Sequence, residues 1–321
     1  MHSPFFRNSK LKDQFDDCAN RASKQFSYYC QTDEPNLKHV LQLSKTLSNF
    51  QCVVSVGGGG VEDLSALASI QCSTIDELRA HLYRGCGAPK LAQRKIGYIS
   101  FPTNYSSSAF VTHSAVVLDD ETKYKFSAFG AGLRPDRAYV DPQILAFLDE
   151  RRWKLSAVDI LTHFVEIYWS MDPGNHLYFL SLKGWLEDFV RAVTLKDFEK
   201  LFFLSAHLMG GFFPLKYVNW PIHALAHSLG PREGIDHASS LSCLLPGFLD
   251  AYIAKQQAHT EVLRRCKDFF YSLSLPPIKA SVSTLDLALE TAINLNARLF
   301  EGANSRDSYR EILGHPWPKK N

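Results

Sequence analysis

Charge excess, paired cysteines and long apolar runs are all scarce in this 321-residue chain. Its 35 lysines and arginines against 33 acidic residues leave a formal charge of +2. That balance is too even to suggest a nucleic-acid or anionic-membrane partner. The seven cysteines are odd in number and scattered, with no C-x-x-C pair. They argue against a disulfide framework and a cysteine-rich zinc site, and fit a reducing compartment. The start, MHSPFFRNSK, lacks the apolar stretch of a secretory signal. The most apolar segment, LFFLSAHLMGGFFPL, is too short to span a bilayer and is interrupted by His207, a glycine pair and a proline. The expectation is a cytoplasmic protein with no nucleic-acid and no membrane partner.

The chain is long enough for one large or two ordinary domains. Its first part reads as α/β. QCVVSV (51–56) is a β-branched run, KIGYIS (95–100) a second one, and SAFVTHSAVVLDD with KYKFSAF flank the turn-rich DDET as a hairpin. RAYVDP supplies one more short strand, stopped at Pro142. From Asp141 the texture changes. PQILAFLDERRW, LSAVDILTHFVEIYW, LYFLSLKGWLEDFVRAV, LKDFEKLFFLSAHLMGG and TLDLALETAINLNARLF carry apolar residues at three- and four-residue spacing, the pattern of helices. The expected plan is α/β plus all-α: an amino-terminal α/β domain over 1–142 and a helical domain over 143–321, with a ligand cleft between them.

VVSVGGGGVEDLSALAS reads as strand, glycine turn and helix. Unpaired N–H groups and a positive dipole end make such a helix start a phosphate cradle, here at Gly57, Gly58, Gly59 and Gly60. Neither G-x-G-x-x-G nor a P-loop lysine is present, so a plain turn before a core helix is the alternative.

Three of the 12 histidines fall within HALAHSLGPREGIDH, residues 223–237. His223 and His227 stand four apart on a predicted helix, and Asp159 and His163 repeat that spacing on an earlier one, so each pair shares a helix face. His237 follows GPREGID, a turn that lets the chain fold back. One carboxylate and several imidazoles from two helices can surround a divalent metal with a position left for water or substrate; Fe²⁺ and Zn²⁺ both suit such ligands. Each residue alone is more simply a core histidine or a solvated helix residue.

Together these segments resemble the iron-containing alcohol dehydrogenase family, whose fold is a dinucleotide-binding α/β domain followed by a helical metal domain, the dehydroquinate synthase-like architecture. The family's GGGS-x-x-D cofactor loop looks like GGGGVED here, on Gly57, Gly58, Gly59 and Asp63. Its VDP strand end is Val140, Asp141 and Pro142, and its D-x-x-x-H pair is Asp159 and His163. Its H-x-x-x-H with a third histidine ten residues on is His223, His227 and His237. The tail GANSRDSYREIL is similar to the family's closing turn and helix. The resemblance implies Asp159, His163, His223 and His237 as metal ligands and His227 beside nicotinamide and substrate. It implies NAD or NADP as cofactor and a small alcohol or aldehyde as substrate, and a homodimer is among the assemblies it allows.

Departures accompany it. The family's glycine-bearing G-T-G-S-E segment is here PTNYSSSAFVT, and a common lysine after the cofactor loop is Ala66. The chain starts at what resembles the helix after the family's first nucleotide-binding strand, so a shortened, divergent member is expected. By resemblance the metal polarises the substrate oxygen and His227 relays the proton. The rivals are a catalytically degenerate metal-binding homologue acting as a binding or structural protein, and a lyase or cyclase on the same fold. The latter needs clustered basic residues, and near the histidines only Arg232 stands out. Phe110, Tyr105 and Trp220 are candidate lining residues.

Overall fold

Alternating apolar residues, a glycine turn and then a helix-period pattern dictate how the chain enters its sheet. The computed structural model describes residues 10–21, 27–31, 34–82, 93–171, 176–211, 220–255 and 260–295. Contacts divide the chain into two units. One comprises Met1–Tyr83, Ala88–Thr122 and Phe126–Ile144; the other comprises Arg84–Gly87, Lys123–Lys125 and Leu145–Asn321.

In the first unit, helices α1 (Lys10–Arg21) and α2 (Leu37–Leu47) precede strand β1 (Cys52–Gly57). Helix α3 (Gly59–Ala68) and the short α4 (Ile75–Arg79) then cross over to β2 (Gly97–Pro102). β1 and β2 are parallel, paired from Cys52 with Gly97 to Gly57 with Pro102. A crossover of this length is what parallel pairing requires. β5 (Arg137–Ala138) adds to the far side of β2, giving the order β1-β2-β5. The hairpin β3 (Ser114–Asp119) and β4 (Tyr124–Phe129) forms as expected around DDET. The strand expected in RAYVDP is confined to two residues, because Asp136 and Tyr139 make the next sheet bonds only singly, to Tyr98 and Ser100. Leu64 and Leu67 of α3 are wholly buried.

The second unit is helical: α5 (Glu150–Ser170), α6 (His176–Leu195), α7 (Phe198–Gly211), α8 (Pro221–Glu233), α9 (His237–Lys255), α10 (Thr260–Ser272) and α11 (Val282–Leu295). PQILAFLDERRW does not form one helix. Pro142–Phe147 is a 3₁₀ turn, and Asp149 starts α5 afresh by accepting from the Arg152 N–H at 2.7 Å. An aspartate N-cap competes with continued helix, which is why the period misleads there. Aromatic stacking fills the core, with Trp185 between Phe164 and Phe189 at 5.3 and 5.0 Å. No described helix is long and apolar enough to cross a membrane. The tail GANSRDSYREIL lies outside the described residues.

Candidate metal centre

Helix α5 is buried along most of its 21 residues, and beside its buried Ser156 and Thr162 it carries three titratable residues, Asp159, His163 and Glu166, on one face. Asp159 is 7 % exposed and His223, from α8, is 8 % exposed. Asp159 Oδ1 lies 3.5 Å from His163 Nδ1 and 3.5 Å from His223 Nε2. The His163 and His223 rings stack at 4.2 Å. Asp159, His163 and His223 each offer one ligand atom, all within 4.8 Å of one another.

The fourth expected ligand, His237, lies outside that three-residue group and is carried next to it by a helix corner. Gly234 closes α8 in the left-handed region at φ 66°, a conformation glycine adopts at no steric cost. Asp236 then starts α9 by accepting from the Ser239 N–H at 2.7 Å. His237 is thereby the first residue of α9, its ring 5.4 Å from that of His223 and 5.2 Å from that of His227. His227 also meets the Tyr124 ring edge-on at 6.2 Å and hydrogen-bonds the Lys125 backbone.

Asp159 Oδ1, His163 Nδ1, His223 Nε2 and His237 Nδ1 are buried and have no hydrogen-bond partner. Unpaired buried polar atoms are uncommon and call for an explanation. Burial, then the neighbouring His223, push His163 down to about 3. Burial opposes the charge on His223 too, but the carboxylates of Glu166 and Asp159 outweigh it and push His223 up to about 9. His227 and His237 are held well below the ordinary histidine range, first by burial and then by the surrounding imidazoles and Lys125.

Sequence reasoning missed Glu166. It is fully buried, and its Oε2 is bonded to His223 Nδ1. Its spacing, three residues after His163 on the same face, was the available signal. Trp220 sets its ring edge against His163 at 5.7 Å and His223 at 5.8 Å. Tyr105 and Phe110 are instead buried in the first unit. Arg232 is engaged by the Lys123 carbonyl at 2.6 Å, by Ser228 and by Thr291 at 2.9 Å, a brace rather than an anion site.

The glycine turn is in the first unit. A Cβ on Gly57 would stand 2.6 Å from Val61 Cβ, and one on Gly58 would stand 2.9 Å from Asn104 Nδ2. Gly59 faces Ser107 and Gly60 faces Pro35. Gly59 and Gly60 open α3, so their N–H groups have no partner within the helix. Asp63 is half-buried, while the adjacent Glu62 is fully buried. Glu62 accepts from Ser100 Oγ at 2.6 Å and from Ser107 Oγ at 2.5 Å. Burial pushes Glu62 up to about 7, the two hydroxyls opposing.

Residues 1–142 match the sequence profile described as iron-containing alcohol dehydrogenase. Long-chain-alcohol dehydrogenase 1 of Geobacillus thermodenitrificans is 28 % identical over 231 residues, 70 % of this chain and 56 % of that protein. Alcohol dehydrogenase 4 of Saccharomyces cerevisiae is 26 % identical over 225 residues, 68 % of this chain and 58 % of its own length. The match thus spans little more than half of these relatives. Among solved structures, NADH-dependent butanol dehydrogenase A from Thermotoga maritima superposes with a TM-score of 0.82 at 15 % identity, covering 97 % of this chain and 89 % of that one. An iron-containing alcohol dehydrogenase from Thermococcus thioreducens gives 0.76 at 15 % identity, covering 97 % and 90 %. At such identities the structural likeness shows the fold, a parallel-sheet α/β part followed by a helical part. Profile, relatives and fold all point to the iron-containing alcohol dehydrogenase family, whose profile is matched by the first 142 of the chain's 321 residues.

Proposed function

We propose that the protein is a metal-dependent oxidoreductase that interconverts a small alcohol and its aldehyde, with NAD or NADP as hydride carrier. One observation carries the reading: the four ligand positions implied by the sequence are four positions at which a buried nitrogen or oxygen lacks a partner. Bonds of about 2.0–2.1 Å at tetrahedral angles separate ligand atoms by roughly 3.4 Å. The 3.5 Å spacings around Asp159 Oδ1 fit that set. One carboxylate with three imidazoles is a donor set for Fe²⁺ or Zn²⁺.

When bound, the metal supplies a Lewis acid for the substrate oxygen and the nicotinamide supplies or accepts the hydride. The chain's own residues do the rest. Asp159, His163, His223 and His237 hold the metal from α5, α8 and α9. Trp220 shields His163 and His223 from water on one side. His227 anchors one ring nitrogen on the Lys125 backbone and leaves the other to exchange the substrate's hydroxyl proton. The N–H groups of Gly59 and Gly60, unpaired within the helix, with Gly57 and Gly58 before them, offer an anion site for the cofactor's pyrophosphate, with Asp63 one turn along α3.

A second reading keeps the metal and discards hydride transfer. It is favoured by the packing of Asn104, Ser107 and Pro35 against the glycine turn, which accounts for the glycines without any nucleotide. Titrating NADH and NADPH into zinc- or iron-loaded protein separates the two. Saturable nicotinamide fluorescence that is abolished by Gly58→Leu, together with turnover of a short aldehyde, supports the oxidoreductase. Bound metal with no binding of either nucleotide leaves the second reading.

A further inference from the structure

Glu166 is a fully buried carboxylate whose two oxygens do different work. Oε1 accepts the backbone N–H of Ile222 at 2.6 Å and of His223 at 3.2 Å. Oε2 is bonded to His223 Nδ1. Helix α8 begins with Pro221 after Trp220, and no side chain caps it locally. The first N–H groups of a helix need partners from outside it, and here a carboxylate from α5 meets two of them. Helix α8 also carries His223, so its position and the aim of that ring depend on one residue.

The geometry points to Glu166 as a positioning residue of the metal centre, which caps α8 with one oxygen and, with the other, keeps the His223 proton on Nδ1 so that Nε2 faces Asp159 and the metal. This rests on the metal reading above. A histidine bound through one nitrogen is commonly oriented by an acceptor at the other. What the structure adds is that the same acceptor also seats the helix, so ligand orientation and helix docking are coupled. Asp159, His163 and Glu166 occupy positions i, i+4 and i+7 of α5 and share a face, so one helix sets two ligands and the orienter of the third.

The two roles separate chemically in Glu166→Gln. The Gln carbonyl oxygen must stay against the two backbone N–H donors, because an NH₂ group there would oppose them. Its NH₂ group then faces His223 Nδ1, which can only accept. The ring proton is displaced to Nε2, where the metal would bind. The cap survives while the ligand is wrongly protonated. Glu166→Ala removes both.

The test uses the full chain with zinc alone as the probe. In metal-free protein, Glu166→Gln is expected to keep its thermal midpoint near that of the wild type, whereas Glu166→Ala falls well below it. Zinc affinity, measured by chelator competition, is expected to drop about 10–100-fold in Glu166→Gln. Nitrogen NMR of labelled histidine, recorded in metal-free protein at a pH where the His223 ring is neutral, is expected to show the proton on Nδ1 in the wild type and on Nε2 in Glu166→Gln. Unchanged zinc affinity in Glu166→Gln, or a proton still on Nδ1, overturns the proposal while leaving the metal site standing. A wild type that does not bind zinc overturns both. Should Glu166→Gln fail to fold, zinc-loaded wild type decides alone: metal on His223 Nε2 with a hydrogen-bonded proton on Nδ1 supports the assignment, and metal on Nδ1 ends it.

Discussion

Asp159 Oδ1 and His223 Nε2 face each other at 3.5 Å across two helices, both buried. Their burial without a hydrogen bond at either atom is a cost that a shared ligand would relieve. A ligand that binds only the folded state stabilises it, by about 2.7 kcal/mol when present at a hundred times its dissociation constant. Stripping the protein with a chelator is therefore expected to lower its thermal midpoint by several degrees, and adding Zn²⁺ to restore it. In His163→Ala the same treatment should produce little or no shift. A wild-type midpoint indifferent to chelator and zinc would remove the metal from this site.

The corner between α8 and α9 should matter in two separable ways. Gly234 has φ 66° and open space around it, so Gly234→Ala is expected to cost about 1 kcal/mol through backbone strain alone. At Gly230 an added Cβ would stand 2.9 Å from Ser240 Oγ and 3.1 Å from the Ile235 carbonyl. Backbone cannot yield as a side-chain tip can, so α8 and α9 must move apart, at about 1–3 kcal/mol. His223 rides on one helix and His237 on the other. Gly230→Ala should thus weaken zinc binding as well as lower the urea midpoint, while Gly234→Ala lowers the midpoint only. Equal zinc affinity in both variants would contradict this.

Much of this arrangement is legible in the sequence. QCVVSV and KIGYIS become β1 and β2 with small shifts of boundary, and the i,i+4 pairs put Asp159, His163 and His223 into one cluster with His237 beside it. These features depend on local periodicity and on one turn. The two buried glutamates do not. Glu62 is defined by Ser100 and Ser107, 38 and 45 residues away, and Glu166 by N–H groups 56 and 57 residues away. A charged residue in a helical pattern reads as a solvent-facing position until its distant donors are known. PQILAF misleads for the opposite reason, because Asp149 overrides its apolar spacing locally.

Within the glycine turn, neighbouring positions should respond unequally. A Cβ on Gly57 would meet Val61 Cβ and Cγ2 at 2.6 Å, and that branched side chain is rooted on α3. On Gly58 it would meet the tip of Asn104 at 2.9 Å, which can swing aside. Gly57→Ala is expected to destabilise by about 1–3 kcal/mol, with Val61→Ala recovering part of the loss in a double-mutant cycle. Gly58→Ala should change stability far less. Asn104 also accepts the Ser107 N–H at 3.0 Å, so its displacement should speed hydrogen exchange at Ser107. Similar losses at Gly57 and Gly58 would refute the packing account.

Glu62 gives the chain a pH dependence with a definite sign. Burial raises its carboxyl from 4.5 to about 7 in the folded chain. Between those values the unfolded chain has released the proton and the folded chain retains it, so stability must fall as pH rises. The contribution is complete below about pH 4.5 and gone above about pH 7, and it amounts to about 3 kcal/mol. Glu62→Gln removes the titration while an amide can still bond both Ser100 and Ser107. The difference in unfolding free energy between wild type and Glu62→Gln, measured by denaturant titration at a series of pH values, is therefore expected to favour the wild type progressively less from pH 4.5 to 7. Other titrating groups cancel in that difference. A difference that stays flat across the window would mean that Glu62 is charged in the folded chain at low pH, and that Ser100 and Ser107 outweigh its burial.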